Sequence, residues 1–210
     1  MTTEGSVVVV DDDAAARKSL QFLLAMAGFN VSSHESGPAF LQSRDLQSCR
    51  CLIADVRMPE MTGLELLQRV KQERPDLSVI IITGHGDVPL AVEAMKSGAA
   101  DFIEKPFDND RLLDAVKGAL SRDSDRDIRE QGRAEIVERF NTLSPREQEV
   151  MLSLVRGNPN KVVAYELGIS VRTVEIHRAH VMTKMQAGSL ANLVRMALVG
   201  GYLEDPHAQT

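Results

Sequence analysis

Thiols are almost absent from this chain of 210 residues, with Cys49 and Cys51 the only two. They sit too close in sequence for an easy structural disulfide, and no further thiol exists to complete a thiolate zinc site. They are expected as small core or near-core residues in a reducing cytoplasm. Long apolar runs are missing as well. No stretch approaches the roughly 18 residues that cross a bilayer, so no membrane partner is expected. The opening residues MTTEGS lack a basic segment and an apolar one, so no secretion signal is expected. Internal repeats and low-complexity tracts are also lacking. An excess of positive charge is lacking too: the formal net charge is −6, which over the whole chain speaks weakly against a nucleic-acid partner. That average conceals two regions. Residues 1–140 hold 17 Lys/Arg and 24 Asp/Glu, whereas residues 141–210 hold 7 and 6. Between Lys161 and Arg195 stand five cations (Lys161, Arg172, Arg178, Lys184, Arg195) and two acids (Glu166, Glu175), a basic stretch.

What the first 120 residues do contain is alternation. Short apolar runs at 7–10, 51–54, 79–82 and 101–103, with a weaker one at 29–32, are separated by amphipathic stretches at 14–27, 38–44, 64–73, 88–97 and 111–120. Near-continuous apolar strands between helical patterns predict βαβ units around a parallel sheet buried on both faces, with five strands and five helices. Gly28, Pro75 and Gly98 fall where helices should end. Residues 121–140 differ: eleven of the twenty are charged, with the signs interleaved and no proline. A charged linker, helical rather than coil, is expected over 123–140. Residues 141–210 lack strand-like alternation and predict a small all-helical domain, with helices at 145–155, 161–167, 172–185 and 190–199.

The run VVVVDDD poses a question of charge. Ligands of an open parallel sheet bind beyond the carboxyl ends of its strands. Asp11 and Asp12 end the first strand, Asp55 the third, Thr83 the fourth and Lys105 the fifth. Each has an ordinary reading as a turn former, a helix cap or a surface lysine. Their joint position at one sheet edge points instead to a hard cation held among carboxylates, for which Mg²⁺ is suited. Asp13 is assigned to capping and field effects. His85, between two glycines, is expected to face solvent from a flexible loop.

The segments VVDDD, DVRMPEMTGLEL and ITGHGDVPLAVEAMKSGAADFIEKPF resemble the receiver domain of bacterial two-component response regulators, over residues 6–120. The resemblance implies a flavodoxin-like (βα)5 domain with strand order 2-1-3-4-5, spanning residues 1–122. It implies that Asp55 accepts a phosphoryl group and that Asp11, Asp12, Asp55 and the main-chain carbonyl of Arg57 hold Mg²⁺. Lys105 would pair with the phosphoryl oxygens and precede a cis bond to Pro106. Thr83 would donate a hydroxyl hydrogen bond, and Phe102 would move into the space Thr83 vacates.

In the last third, a helix, a turn around Gly168-Ile169-Ser170 and a second helix follow one another. Ser170 is a plausible N-cap of the second. Val174, His177, Val181 and Met185 form its buried stripe. His177 is expected as a satisfied core or backbone-contacting residue rather than a metal ligand. A cationic second helix suits the major groove. The pattern LSPREQEV…LGISVRTVEIH resembles the LuxR-type helix-turn-helix domain, placed at 141–210. That resemblance implies DNA contacts from Arg172, Thr173, Glu175, Ile176, Arg178, Ala179 and Lys184, with Glu175 standing where some relatives carry a base.

The order of the two domains resembles the NarL/FixJ group of response regulators, and within it the nitrogen-fixation regulators of rhizobia. The implied partners are promoter DNA, RNA polymerase, a histidine kinase that senses oxygen through haem, and a second copy of the chain once phosphorylated. Three other readings remain: a paralogous regulator answering another kinase, a constitutive DNA-binding protein with a silent receiver, and a phosphatase turning over an aspartyl-phosphate. The short loops leave the phosphatase little room for a substrate cap.

Overall fold

The computed structural model describes residues 6–84, 88–121 and 126–203, with side chains in the helix Arg126–Asn141 described from residue 132 onward. The call on His85 lies outside the described residues. The strands β1 (Ser6–Val10), β2 (Asn30–His34), β3 (Cys51–Asp55), β4 (Ser78–Thr83) and β5 (Asp101–Glu104) form one parallel sheet in the order β2-β1-β3-β4-β5, the expected 2-1-3-4-5. Helices α1 (Ala14–Met26), α2 (Gly37–Leu41), α3 (Asp45–Ser48), α4 (Gly63–Glu73), α5 (Val88–Lys96) and α6 (Asn109–Leu120) alternate with them. Among the described residues five helical elements follow: α7 (Arg126–Asn141), α8 (Pro145–Val155), α9 (Asn160–Leu167), α10 (Val171–Met185) and α11 (Leu190–Gly200). Among the described residues, no helix is long and apolar enough to cross a membrane. The chain divides into two compact units, residues 1–86 with 97–123, and residues 87–96 with 124–210.

The central strands β1, β3 and β4 are largely apolar because both faces of the sheet are covered there. Val7, Val9, Ile53, Ile80 and Ile82 pack with Leu20 and Leu24 of α1 and with Leu112 and Val116 of α6. Successive strand residues face opposite sides, and the alternates Val8, Val10, Leu52 and Ala54 are equally buried. The register levels the carboxyl ends: Val10 pairs with Ala54, Asp55 with Ile82 and Thr83 with Glu104. Both cysteines are buried, and burial pushes the Cys49 thiol up to about 11.

One expectation is corrected. The helix expected over 38–44 ends at Leu41 as α2, and a further short helix, α3, follows at Asp45–Ser48, so six helices rather than five lie among the described residues up to Leu120. The Ser43 hydroxyl donates to the Phe40 carbonyl at 2.7 Å and accepts from the Asp45 N–H at 3.2 Å. A side chain thereby takes backbone partners that a continuing helix would use.

In the helical unit, Val150 and Leu154 of α8, Val163 and Ala164 of α9 and Val174 of α10 form a common core. Helix α7 is not a bare spacer in its second half. It packs against α10 and α11, buries Ile136, and stacks Phe140 on Tyr202 with ring centroids 3.9 Å apart.

Candidate functional site

Three adjacent carboxylates follow β1, and local structure separates their roles. The Asp13 carboxylate caps α1, accepting from the N–H groups of Ala15 at 2.7 Å and Ala16 at 3.2 Å. Those hydrogen bonds hold its carboxyl below the usual range. The Arg17 guanidinium donates to the carbonyls of Asp11 and Asp12, tying the strand-to-helix turn to the helix it opens. Asp11 is left almost fully buried and Asp12 exposed beside it.

Across the sheet edge, Lys105 reaches two of the predicted residues at once. Its Nζ lies 2.7 Å from Asp55 Oδ1 and 3.3 Å from Asp11 Oδ2. The second Asp55 oxygen, Oδ2, accepts from the Arg57 N–H at 2.7 Å. Burial pushes the Asp11 carboxyl upward; Lys105 opposes the rise and the charge of Asp55 adds to it. Burial likewise works against the Lys105 ammonium, but the Asp55 hydrogen bond and the charges of Asp11 and Asp55 outweigh it and hold its pKa above the usual range. The Lys105–Pro106 bond is cis. Thr83, at the end of β4, is buried at the same edge, and Phe102 is buried in β5. Two carboxylates facing one ammonium offer oxygen donors with negative charge to spare, and the exposed Asp12 follows Asp11 directly in the chain. That set fits a hard divalent ion such as Mg²⁺.

Gly63 belongs to this site and carries no signal of it in the sequence. It opens α4 directly behind Asp55, and its N–H donates to the Val56 carbonyl at 2.9 Å. A Cβ there would lie 2.3 Å from the Asp55 carbonyl oxygen, a contact that only a backbone shift relieves. Gly63→Ala is therefore expected to destabilise the protein by about 1–3 kcal/mol through overpacking and to move Asp55 away from Lys105. Thermal unfolding measures the first effect and a crystal structure of the variant the second; an unchanged melting temperature would show that the loop absorbs the methyl group.

In the helical unit, α9 ends at Gly168, whose φ of +63° places it in the left-handed region that favours glycine. Ser170 then caps α10, its hydroxyl accepting from the Thr173 N–H at 3.0 Å. Val174, Val181 and Met185 are buried, while Arg172, Glu175, Ile176 and Ala179 fall at i, i+3, i+4 and i+7 on the exposed side. Thr173 and Arg178 are half-buried. Arg172 pairs with Glu175 at 3.2 Å, and Arg178 approaches Asn160 at 3.5 Å. Lys184 stands apart from this face: its ammonium lies 2.6 Å from the buried Glu147 of α8. The expectation that His177 is satisfied is not met at one ring nitrogen: its buried Nδ1 has no hydrogen-bond partner among the described residues.

A doubly covered parallel sheet with an acidic edge, joined to a helix-turn-helix unit with an exposed second helix, defines a response regulator of the DNA-binding kind. Residues 7–117 match the response regulator receiver domain family, and residues 141–197 match the luxR family of bacterial regulatory proteins. The chain belongs to these families: it is a two-component transcription regulator, not a classical enzyme. It is 50% identical over 205 residues to the transcriptional regulatory protein FixJ of Bradyrhizobium diazoefficiens, covering 98% of this chain and 100% of that one. It is 43% identical over 209 residues to nodulation protein W of the same organism, covering 100% of this chain and 92% of that one. The crystal structure of full-length FixJ from B. japonicum is 49% identical, with a TM-score of 0.55 over 97% of this chain and 100% of that one.

Proposed function

We propose that this chain is a cytoplasmic, phosphorylation-activated regulator whose phosphoacceptor is Asp55. The observation that carries the reading is the Asp11–Lys105–Asp55 cluster, with Lys105 Nζ 2.7 Å from Asp55 and 3.3 Å from Asp11. An Asp55 oxygen attacks the phosphorus of a kinase phosphohistidine in line. The P–N bond breaks, and its electron pair leaves with the imidazole. A carboxylate is a weak nucleophile, so the rate depends on positioning and neutralisation of charge. Lys105 meets the incoming phosphoryl oxygens, and Asp11, Asp12, Asp55 and the Arg57 carbonyl would hold Mg²⁺, which supplies the remaining neutralisation. Slow self-dephosphorylation at the same site is the only turnover expected.

The phosphoryl group adds a charge of about −1.5 to −2 and strong acceptors. Thr83 donates its hydroxyl to them, and Phe102 follows into the space released. Full switching from 1:99 to 99:1 needs roughly 5.5 kcal/mol, more than one charge-assisted hydrogen bond contributes. Dimerisation of two phosphorylated copies supplies part of it. Arg172, Thr173, Glu175, Ile176, Arg178 and Ala179 then face promoter DNA, with Lys184 engaged through Glu147 at the far end of the same helix. RNA polymerase is the downstream partner. Likeness to FixJ supports control of nitrogen-fixation genes through a haem-based, oxygen-sensing kinase. Likeness to nodulation protein W favours a second reading, a paralogue serving another kinase and signal.

Operator binding and sedimentation of the full chain, with and without acetyl phosphate and Mg²⁺, test the core of this reading. Phosphorylated protein is expected to sediment as a dimer and bind its operator more tightly, with affinity falling steeply as salt rises. Identical operator affinity in the two states would identify a constitutive DNA-binding protein instead.

A further inference from the structure

Helix α10 carries two histidines three residues apart, His177 and His180, and α8 sets Glu147 against them. A ring nitrogen from each histidine and a carboxylate oxygen of Glu147 all lie within 4.8 Å of one another. The i, i+3 spacing puts both rings on one side of the helix, and the tertiary fold brings up Glu147 from 30 residues earlier in the chain.

Several details make this more than a polar patch. The Nδ1 atom of His177 is buried without a hydrogen-bond partner among the described residues, an arrangement that costs free energy unless something meets it. Glu147 divides its two oxygens between different tasks. Oε2 accepts from the Ser144 N–H at 2.8 Å and from the Lys184 ammonium at 2.6 Å. Oε1 faces His180 Nδ1 at 3.4 Å, longer than a good hydrogen bond between these atoms. Two ligands bound to one tetrahedral zinc ion at about 2.0–2.1 Å stand about 3.3 Å apart, so this separation already suits a shared ion. Two imidazoles and a carboxylate are a ligand set zinc accepts, with a fourth position left for water. His180 is 59% exposed and gives the ion a way in.

We propose that Glu147, His177 and His180 form a binding site for a zinc-class divalent cation, pinning α10 to α8. The site is independent of the acidic edge of the sheet and of the reading given to Asp55. Lys184 sits on the other Glu147 oxygen and repels the ion, so the affinity falls short of that of a four-ligand structural zinc site.

The test is calorimetric titration of the full chain with Zn²⁺ in a large excess of Mg²⁺, which occupies the carboxylate cluster of the sheet. Wild type is expected to take up one equivalent more than His180→Ala, and Zn²⁺ is expected to raise the melting temperature of wild type only. His180 is largely exposed, so the variant should melt like wild type without metal, which confirms that it folds. Co²⁺ in place of Zn²⁺ should give visible absorption bands of a nitrogen-ligated tetrahedral ion in wild type that the variant lacks. Equal zinc uptake by the two proteins, or none by either, overturns the proposal.

Discussion

Asp55→Asn is expected to take up no measurable phosphoryl group from a phosphohistidine donor or from acetyl phosphate. The amide is uncharged and a poorer nucleophile, and it offers one acceptor oxygen where Lys105 and the Arg57 N–H each use one. A rate loss of at least about three orders of magnitude corresponds to a barrier higher by about 4 kcal/mol. Incorporation of labelled phosphate measures it. The variant should nevertheless fold. Lys105 keeps its contact with Asp11 at 3.3 Å, and one of two crowded carboxylates is gone, so the melting temperature in the absence of Mg²⁺ should match or exceed that of wild type. A variant that is phosphorylated at the wild-type rate would move the acceptor elsewhere.

Lys184→Met should be the most damaging single change in the helical unit. Glu147 is buried, with its Oε2 2.6 Å from Lys184 Nζ. Removing the ammonium leaves a buried charge without its main partner, at a cost of about 3–5 kcal/mol. The double variant Glu147→Gln with Lys184→Met should recover most of that loss, because the amide keeps a hydrogen bond to the Ser144 N–H. The same pair sets an acid dependence. The Lys184 hydrogen bond, opposed by burial and helped by Ser144, lowers the Glu147 pKa from its ordinary 4.5 to about 2. A depressed carboxyl stabilises the fold above its unfolded pKa, and that stability disappears as pH falls through the folded value. Between pH 4.5 and 2, about 2 kcal/mol should be lost, after discounting for water at the exposed end of Lys184. Denaturant unfolding across that interval measures it, and in Glu147→Gln the slope should flatten.

Much of the receiver was readable because its strands are buried on both faces, which forces uninterrupted apolar runs such as VVVV and VIII. Parallel topology then brings the carboxyl ends of those strands to one edge, so Asp11, Asp55 and Lys105 could be grouped before any distance was known. The edge strand β2, reading NVSSH, is only half-buried, and its pattern was correspondingly weak. The break between α2 and α3 escaped because it depends on a single hydroxyl, that of Ser43. Gly63 gave no sign, since nothing in a string of letters records that a carbonyl lies 2.3 Å from where its Cβ would stand. The stripe of α10 was legible from its spacing, but the meeting of His177 and His180 with Glu147 was not, because it depends on how α8 crosses α10.

Helix α7 has a practical consequence for anyone who wishes to study DNA reading in isolation. A piece cut at residue 141, where the luxR family match begins, would discard Ile136 and Phe140, strip the aromatic cover from Tyr202 and leave α11 with a bare apolar flank. Such a truncation invites self-association that has nothing to do with signalling. Starting upstream of residue 133 retains Ile136 and Phe140 and so keeps the stacked cover over Tyr202.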